Sequence, residues 1–210
     1  MKTVLMGDIH GCFNDYQFFL KDVERSIQLG DFGIGMGPEQ YWHDKVNAYH
    51  AHGNHRFIRG NHDNPHKCKD EMVGYIPDGT IENDVMFVGG AWSIDKDYRN
   101  PGIDWWRDEE CSNDEFEEFL SLYEINKPRV MITHDGPTLA SYYMFLSSGR
   151  STYAGNVMYL TKTAEYLQRM FEIHQPEEWY FGHWHHSVQM NINGTKFTCL
   201  GILDTLEVEL

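Results

Sequence analysis

The chain has 210 residues, of which 41% are hydrophobic and 23% charged, a balance typical of a folded globular protein rather than a disordered one. Its formal net charge of −15 argues against a broad phosphate-tracking surface, because nucleic-acid binding draws much of its affinity from lysine and arginine. We therefore expect a single domain over residues 1–210 and do not expect nucleic acid as a partner.

The cysteines and the N-terminal residues bear on the compartment. The four cysteines lie far apart in the sequence with no Cys-x-x-Cys pair, which favours free thiols in a reducing compartment. Residues 1–6 are too short for the apolar region of a signal peptide, and no apolar run approaches the roughly 20 residues of a membrane span. We expect a cytoplasmic protein that does not associate with membranes.

The first predicted strand, residues 3–6, runs directly into Asp8 and His10. In extended backbone, residues two apart point to the same side, so this carboxylate and imidazole can chelate one cation. The other interpretation of this stretch is a turn in which Asp8 is a capping residue.

A strand–helix–strand unit follows. Apolar spacing predicts a helix over residues 13–25, and the strand at 26–29 delivers a second carboxylate, Asp31. Parallel strands joined in this way expose their carboxyl ends on one edge, where sites in open α/β sheets lie. The glycine-rich loop at 33–38 lacks the Gly-Lys-Ser/Thr ending of a P-loop, so we interpret it as a flexible connection.

The tripeptide Gly-Asn-His occurs twice, at residues 53–55 and 60–62, and only the second follows a predicted strand, residues 56–59. Residues 39–50 are predicted to be helical and residues 50–55 are rich in histidine. We interpret His52 and His55 as loop or surface residues rather than ligands. Asn61 and His62 are the candidate site residues.

The middle of the chain offers a candidate substrate loop. A strand at 84–88 leads into Gly89 and Gly90, which would allow a close backbone approach, and then into a polar exit. The loop at 95–106 has two interpretations. It recognises substrate, with the planar Arg99 guanidinium binding phosphate, or its tryptophan pair closes the core. Ser112 and Glu115 resemble a capping box that starts a helix.

The last third repeats the strand-end pattern. A strand at 129–133 ends at His134, a helix is predicted at 164–174, and a strand at 178–181 leads to His183 and His185. Residues 187–200 form a hairpin signal around an Asn-Gly pair. Five predicted strand ends thus carry seven oxygen and nitrogen donors and no thiolate, a set suited to Mn, Fe, Ni, Co or Zn. They are Asp8, His10, Asp31, Asn61, His134, His183 and His185.

The ordered motifs carry a resemblance. Segments 7–11, 30–31, 60–63, 133–134 and 182–185 read Gly-Asp-Ile-His-Gly, Gly-Asp, Gly-Asn-His-Asp, Thr-His and Gly-His-Trp-His. In this order they resemble the calcineurin-like metallophosphoesterase superfamily across essentially the whole chain. Segment 88–95 with Arg99, Trp105 and Trp106 further resembles its compact bacterial and phage members. The fold implied is α/β, two mixed β-sheets packed as a sandwich flanked by helices.

The resemblance also implies a ligand set for two divalent metal ions, of which Mn is expected and Fe, Zn, Ni or Co remain open. Asp31 would bridge the two ions. One ion would be held by Asp8, His10, Asp31 and His185, and the other by Asp31, Asn61, His134 and His183.

The reaction implied is hydrolysis of a small phosphorylated substrate, a phosphomonoester or small phosphodiester. A metal-bridging hydroxide would attack the phosphorus in line, with His62 as the general acid for the leaving oxygen. Asn61, Arg59 and Arg99 are the candidate substrate-binding residues.

One departure bears on the substrate. Ser/Thr protein phosphatases of the superfamily continue their second block as Gly-Asp-x-x-Asp-Arg-Gly, but here Ile34 and Gly35 stand at the Asp-Arg positions. We expect Asp63 to orient His62 in place of the missing aspartate, and Arg99 or Arg59 to bind the phosphate. A protein phosphatase-like enzyme is the nearest alternative, and a non-catalytic metal-binding scaffold is an alternative of another class.

Overall fold

The computed structural model describes residues 2–37, 39–51, 54–147 and 160–210, without the side chains of residues 39–43. Its strands are β1 Lys2–Met6, β2 Arg25–Gln28, β3 Asn54–Phe57, β4 Ile81–Glu82, β5 Val85–Val88, β6 Val130–Thr133, β7 Glu178–Phe181, β8 Val188–Ile192, β9 Thr195–Cys199 and β10 Thr205–Glu209. Its helices are α1 Phe13–Leu20, α2 Glu39–His50, α3 Pro65–Glu71, α4 Asn113–Asn126, α5 Thr138–Ser147 and α6 Lys162–Ile173, with a 3-10 turn at Lys96–Tyr98.

The strands form two mixed sheets. The first has the order β10-β1-β2-β3, with β1, β2 and β3 parallel and β10 antiparallel to β1. The second has the order β4-β5-β6-β7-β9-β8, in which β5, β6, β7 and β9 are parallel and the outer strands antiparallel. Both sheets are therefore mixed, as the predicted fold requires.

Three apolar clusters define the layers of the molecule. The central cluster joins the sheets, with Leu5 and Ile27 from the first and Val85, Ile132 and Tyr180 from the second. A second cluster packs α1, α2 and α3 on the outer face of the first sheet. The third packs α4, α5 and α6 on the outer face of the second sheet. The predicted sandwich flanked by helices is confirmed.

The topology brings the candidate ligands to one edge. Strands β1 and β2 are parallel neighbours, and Asp8 and Asp31 follow their carboxyl ends within three residues. Strands β6 and β7 are parallel neighbours in the other sheet, and His134 and His183 follow their ends within two residues. The carboxyl ends of both sheets therefore supply the site, as open α/β sheets generally do.

Several local predictions are confirmed. Ser112 accepts a hydrogen bond from Glu115 N while the Glu115 carboxylate accepts from Ser112 N, a complete capping box. Asn193 and Gly194 have φ of 52° and 92°, which is the left-handed turn that closes the hairpin of β8 and β9.

Other boundaries differ from the prediction. The helix predicted over residues 13–25 ends at Leu20, where a turn with Val23 N donating to the Leu20 carbonyl oxygen leads to β2 at Arg25. The stretch from Pro65, which has no apolar periodicity to predict an element, is helix α3, begun by the Asn64 side chain accepting from Lys67 N. Helix α5 and strand β10 also lacked a prediction.

The interpretation of His55 as a loop or surface residue is wrong, whereas the helix predicted at residues 39–50 is confirmed as α2. His55 lies in β3, is 6% exposed and has its Nδ1 2.9 Å from Ser26 Oγ. His50 is buried between Tyr16 Oη, 2.9 Å from its Nε2, and the Val73 carbonyl oxygen, 2.7 Å from its Nδ1. The strand begins earlier than its apolar residues indicate, because it pairs with β2 from Asn54. His52 lies outside the described residues.

Within the described part of the chain, no helix combines the length and apolarity needed to cross a membrane.

Candidate metal centre

The first group of candidate ligands comes from three segments and is compact. One donor atom from each of Asp8, His10, Asp31 and His185 lies within 4.8 Å of the others. His185 Nε2 lies 3.1 Å from Asp8 Oδ2 and 2.8 Å from His10 Nε2. His10 Nε2 also lies 3.8 Å from Asp31 Oδ2. Two imidazole nitrogens and two carboxylate oxygens thus face one small volume.

The second group shares Asp31 with the first. Donor atoms of Asp31, His134 and His183 lie within 4.8 Å of one another. His134 Nε2 is 3.3 Å from Asp31 Oδ1 and 3.1 Å from Asn61 Oδ1, which adds the amide oxygen to the group. His134 Nδ1 lies 2.7 Å from the Leu29 carbonyl oxygen, which fixes the ring. The structure therefore brings all seven predicted ligands together.

The donor set fits divalent cations. Among the described residues, Asp31 Oδ2 is buried without a hydrogen-bond partner, although Oδ1 of the same carboxylate accepts from His62 N, and the buried Asp8 Oδ2 has His185 Nε2 3.1 Å away. A buried unpaired carboxylate oxygen is costly unless a cation binds it. Carboxylate oxygens with imidazole nitrogens suit Mn, Fe, Co, Ni or Zn, so the chemistry of the residues matches the expected metals.

Four candidate ligands adopt a backbone conformation that side chains disfavour. His10, Asp31, His183 and His185 have φ of 45°, 56°, 65° and 53°, in the left-handed region. Such residues cost free energy and persist where the surrounding structure holds them, commonly at functional sites. The strain at these residues is thus a second observation, independent of the donor atoms, that marks the cluster as a site.

The buried charges at the centre influence each other. Burial opposes ionisation of Asp31, but His134, His62 and His10 together outweigh it and hold the pKa of the carboxyl well below its usual range. Burial likewise lowers the pKa of His134, but the Asp31 and Asp8 carboxylates outweigh it and raise that pKa to about 10. A cation bound by Asp31 and His134 would replace the imidazole proton as the partner of the carboxylate.

Two glycines of the motifs are required by close approach. A Cβ atom at Gly60 would lie 2.1 Å from Asp31 Oδ1, and one at Gly182 would lie 2.4 Å from Asp8 Oδ1. The ligand carboxylates pack directly on these backbones. This explains why glycine precedes both Asn61 and His183.

His62 and Arg99 border the ligand groups. His62 Nε2 lies 3.8 Å from Asp31 Oδ2, and its side chain is 12% exposed. Burial lowers the pKa of His62 to about 4. Arg99 Nη2 lies 3.4 Å from His62 Nε2, and the guanidinium is held by two 2.7 Å hydrogen bonds to the Asp95 carboxylate. Both candidate substrate-facing residues therefore lie beside the ligand cluster.

Comparison with known proteins identifies the family. The sequence matches the calcineurin-like phosphoesterases over residues 1–187. The chain belongs to that family. This phosphoesterase is accordingly a metal-dependent phosphoric ester hydrolase, with a His/Asp cluster able to bind metal.

Solved structures share the fold. GAP50, the anchor in the inner membrane complex of Plasmodium, matches with a TM-score of 0.55 at 11% identity, over 96% of this chain and 71% of that one. A protein assigned as a 5′-nucleotidase from Staphylococcus aureus, solved with alpha-ketoglutarate, matches with a TM-score of 0.54 at 15% identity, over 96% of this chain and 48% of that one. At these identities the likeness concerns the fold alone. A search of curated protein sequences finds no match.

The structure corrects the role expected for Asp63 in the phosphoesterase. Its carboxylate is fully buried and accepts four backbone N–H groups: Oδ1 from Gly33 and Ile34, and Oδ2 from Gly60 and Phe32, at 2.6 to 3.0 Å. Both oxygens are thus used to join the Gly60 turn to the turn after Asp31. Asp63 holds the backbone of the site together and does not orient His62.

The role expected for Arg59 is also corrected. Its side chain is buried, and Nε donates to Asp78 Oδ2 at 2.7 Å. Nη1 donates to the carbonyl oxygens of Asp108 and Glu109, and Nη2 to Cys111 Sγ. Because burial and these partners commit the guanidinium to the interior, Arg99 rather than Arg59 is the arginine available to a phosphate.

Sequence reasoning missed two residues behind the ligands. Asn61 Nδ2 donates to Ser93 Oγ at 2.9 Å, and Ser93 Oγ donates to Glu109 Oε2 at 2.5 Å. Ser93 N donates to Glu109 Oε1 at 3.0 Å, and Glu109 is 3% exposed. The polar residues that follow β5 were the sequence signal that could have indicated Ser93. Glu109 lies in a charged loop segment with no such signal.

Proposed function

We propose that the phosphoesterase hydrolyses a phosphomonoester or small phosphodiester with two divalent metal ions, of which Mn is the expected metal. The observation that supports two ions is the position of Asp31 between the groups: Oδ1 lies 3.3 Å from His134 Nε2, and Oδ2 lies 3.8 Å from His10 Nε2. When bound, the ions would supply an activated water and stabilise the charge on the phosphate. One carboxylate facing two sets of imidazoles is the arrangement that such a pair requires.

The protein's own contribution begins with His62, which we assign as the proton donor to the leaving oxygen. Its ring lies at the border of the ligand cluster and is largely shielded from solvent. Burial keeps the ring neutral near pH 7, with a pKa of about 4. A phosphate dianion bound beside the ring would raise that pKa, because a nearby negative charge favours the protonated imidazole. The ring would then hold the proton that the leaving oxygen takes.

Arg99 is the proposed phosphate-binding residue. Asp95 holds Nε and one Nη, and Nη1 donates to the Asp104 carbonyl oxygen at 3.1 Å, so the guanidinium plane is oriented before substrate arrives. Its Nη2 points to His62. A pre-oriented arginine loses little side-chain entropy on binding a phosphate oxygen, which favours tight and directional binding.

A small substrate is favoured over a phosphoprotein. Ile34 is fully buried, and a Cβ at Gly35 would lie 2.7 Å from Asn64 Cβ, so neither position supplies the acidic and basic residues of the protein phosphatases. The net charge of −15 likewise disfavours nucleic acid. A non-catalytic scaffold would not require a proton donor beside a complete ligand set. The cytoplasmic location and the one-domain organisation stay predictions from the sequence.

The test uses matched ester substrates. The purified protein is loaded with Mn²⁺, its metal content is counted, and hydrolysis of p-nitrophenyl phosphate is compared with that of bis-p-nitrophenyl phosphate, nucleotides and phosphopeptides. We expect hydrolysis of one of the small esters, and a loss of at least about 100-fold in Asp31→Asn, because both ions share this ligand. Asp22→Asn, at a side chain 88% exposed, is the matched control and should retain wild-type rates. Absence of hydrolysis of both esters and of nucleotides by the loaded protein would overturn the proposal, and hydrolysis of phosphopeptides alone would favour the protein phosphatase alternative.

A further inference from the structure

A chain of three polar side chains leads from the second ligand group into the interior. It runs from Asn61 through Ser93 to Glu109, and all three residues are at most 3% exposed. We propose that Glu109 is a positioning residue that acts through the Ser93 hydroxyl to turn the Asn61 amide oxygen toward His134. The inference rests on the proposed metal centre, because that oxygen is one of its ligands.

With Glu109 ionised, the direction of each hydrogen bond follows from the number of protons. Ser93 N can only donate, and it donates to Glu109 Oε1 at 3.0 Å. The single hydroxyl proton of Ser93 is donated to Oε2 at 2.5 Å. Ser93 Oγ can therefore only accept from Asn61, and the amide group that donates is Nδ2, at 2.9 Å. The remaining end of the amide, Oδ1, then faces His134 Nε2 at 3.1 Å.

Shape alone does not choose this orientation. The oxygen and nitrogen ends of an amide have nearly the same size, so only hydrogen bonding distinguishes them. The reversed amide would present N–H groups, which have no lone pair for a cation. Once a cation takes the place of the His134 proton, the carboxylate of Glu109, at the far end of the chain, is the group that excludes the reversed state. Arg59 in turn fixes the backbone of Glu109, because Nη1 donates to the Glu109 carbonyl oxygen at 2.8 Å.

Glu109→Gln should reverse the whole chain with almost no change of shape. Ser93 N still needs an acceptor, so the Gln oxygen must face it and the Gln NH₂ must face Ser93 Oγ. The hydroxyl proton, released from Glu109, is then donated to Asn61. The amide turns its oxygen toward Ser93 and its NH₂ toward the metal position.

A second substitution, at position 61, should restore the metal binding that Glu109→Gln loses. A carboxylate at position 61 has an oxygen at each end, so it can accept the reversed hydroxyl proton and still present an oxygen to a cation. Asn61→Asp should therefore restore metal binding when combined with Glu109→Gln. In the parent protein Asn61→Asp should weaken it, because one hydroxyl proton cannot serve two carboxylates. A merely structural role of Glu109 would not give this opposite sign.

The experiment is a Mn²⁺ titration by calorimetry of the full chain, with thermal melts to establish folding. We expect two ions in the parent, and in Glu109→Gln one ion bound as before and the other 10 to 100-fold more weakly. The double variant Asn61→Asp/Glu109→Gln should recover most of that loss. Glu118→Gln, an exposed glutamate of α4, is the matched control and should bind as the parent does.

The outcomes of the titration distinguish the positioning role of Glu109 from the metal centre on which it rests. Unchanged binding of both ions by Glu109→Gln, or failure of Asn61→Asp to restore it, would overturn the positioning role while leaving the proposed function intact. A parent that binds one ion would instead overturn the metal centre itself. If Glu109→Gln does not melt cooperatively, Ser93→Ala decides, since it removes the link. Weaker binding of one ion supports the positioning role, and binding equal to the parent contradicts it.

Discussion

Arg99 points its guanidinium at His62, with Nη2 3.4 Å from Nε2 of the imidazole. The pair joins the loop after β5 to the turn that carries Asn61, so it lies at the border of both ligand groups. The guanidinium thus lies beside the cluster of carboxylates and imidazoles, where under the proposed function it would bind a substrate phosphate.

Arg99→Ala should raise KM more than it lowers kcat, because the guanidinium binds phosphate in the ground state as well as during reaction. We expect kcat/KM to fall about 10 to 100-fold, an amount consistent with one charge-assisted hydrogen-bonding group. Steady-state kinetics on the preferred ester measures the effect. Arg107→Ala, an exposed arginine near the same loop, should keep parental values. An equal KM in Arg99→Ala and parent would remove Arg99 from the substrate site.

His62→Asn should leave both Mn²⁺ ions bound and lower turnover about 100-fold or more, because it removes the proton donor and no ligand. The loss should shrink on p-nitrophenyl esters and be largest on alkyl esters, whose leaving oxygen needs the proton most. Rates are compared for the two ester types after metal content has been verified. Equal rates on an alkyl ester would exclude His62 from proton transfer.

The residues next to the ligands show what the sequence could predict. The grouping of the seven candidate ligands could be predicted, because each follows a strand and the topology of parallel strands brings such ends together. The direction in which each side chain points could not be predicted from the sequence. Arg59 and Asp63 flank the same motif as Asn61, yet their partners include Asp78 and Phe32, 19 and 31 residues away in sequence.

The sequence also could not predict helix α3 or the burial of His55. Helix α3 has no apolar periodicity and starts from the Asn64 cap and Pro65, so the absence of a pattern was misleading. The polar residues that begin its strand indicate a surface position for His55, but its ring contacts Ser26 of β2 and stacks on Tyr49 of α2. Tertiary contacts with both a strand and a helix therefore bury this side chain. The Ser93–Glu109 pair also depends on tertiary contact, across 16 residues of loop and turn.

Asp63→Asn should destabilise the fold by about 3 kcal/mol, because either orientation of the amide leaves two of the four backbone N–H groups without an acceptor. Denaturant unfolding of the metal-free protein measures the free energy. Asp70→Asn, at an exposed position in α3, should stay within about 0.5 kcal/mol of the parent. A change at position 63 as small as the one at position 70 would refute the backbone-binding role.

His50 should make the fold sensitive to mild acid. Burial lowers the pKa of His50 to about 4, from an ordinary value near 6.5. The unfolded chain therefore binds a proton below pH 6.5 that the folded protein refuses until about pH 4, so stability is full above 6.5 and falls as pH drops through this window. The contribution lost is about 3 kcal/mol.

His50→Gln tests this pH dependence, since Gln can donate to the Val73 oxygen and accept from Tyr16 without titrating. Urea unfolding at pH 7 and pH 5 should show a smaller loss of stability in the variant than in the parent. His66→Gln, at a side chain 79% exposed, is the control and should lose as much as the parent. Identical pH dependence in parent and His50→Gln would show that another group is responsible.

The central claim, two metal positions that share Asp31, is tested most directly by counting Mn²⁺ ions bound to the parent, His185→Ala and His183→Ala. His185 belongs to the first ligand group and His183 to the second. The account predicts two tightly bound ions in the parent and one in each variant. One ion in the parent, or two retained by either variant at parental affinity, would contradict it.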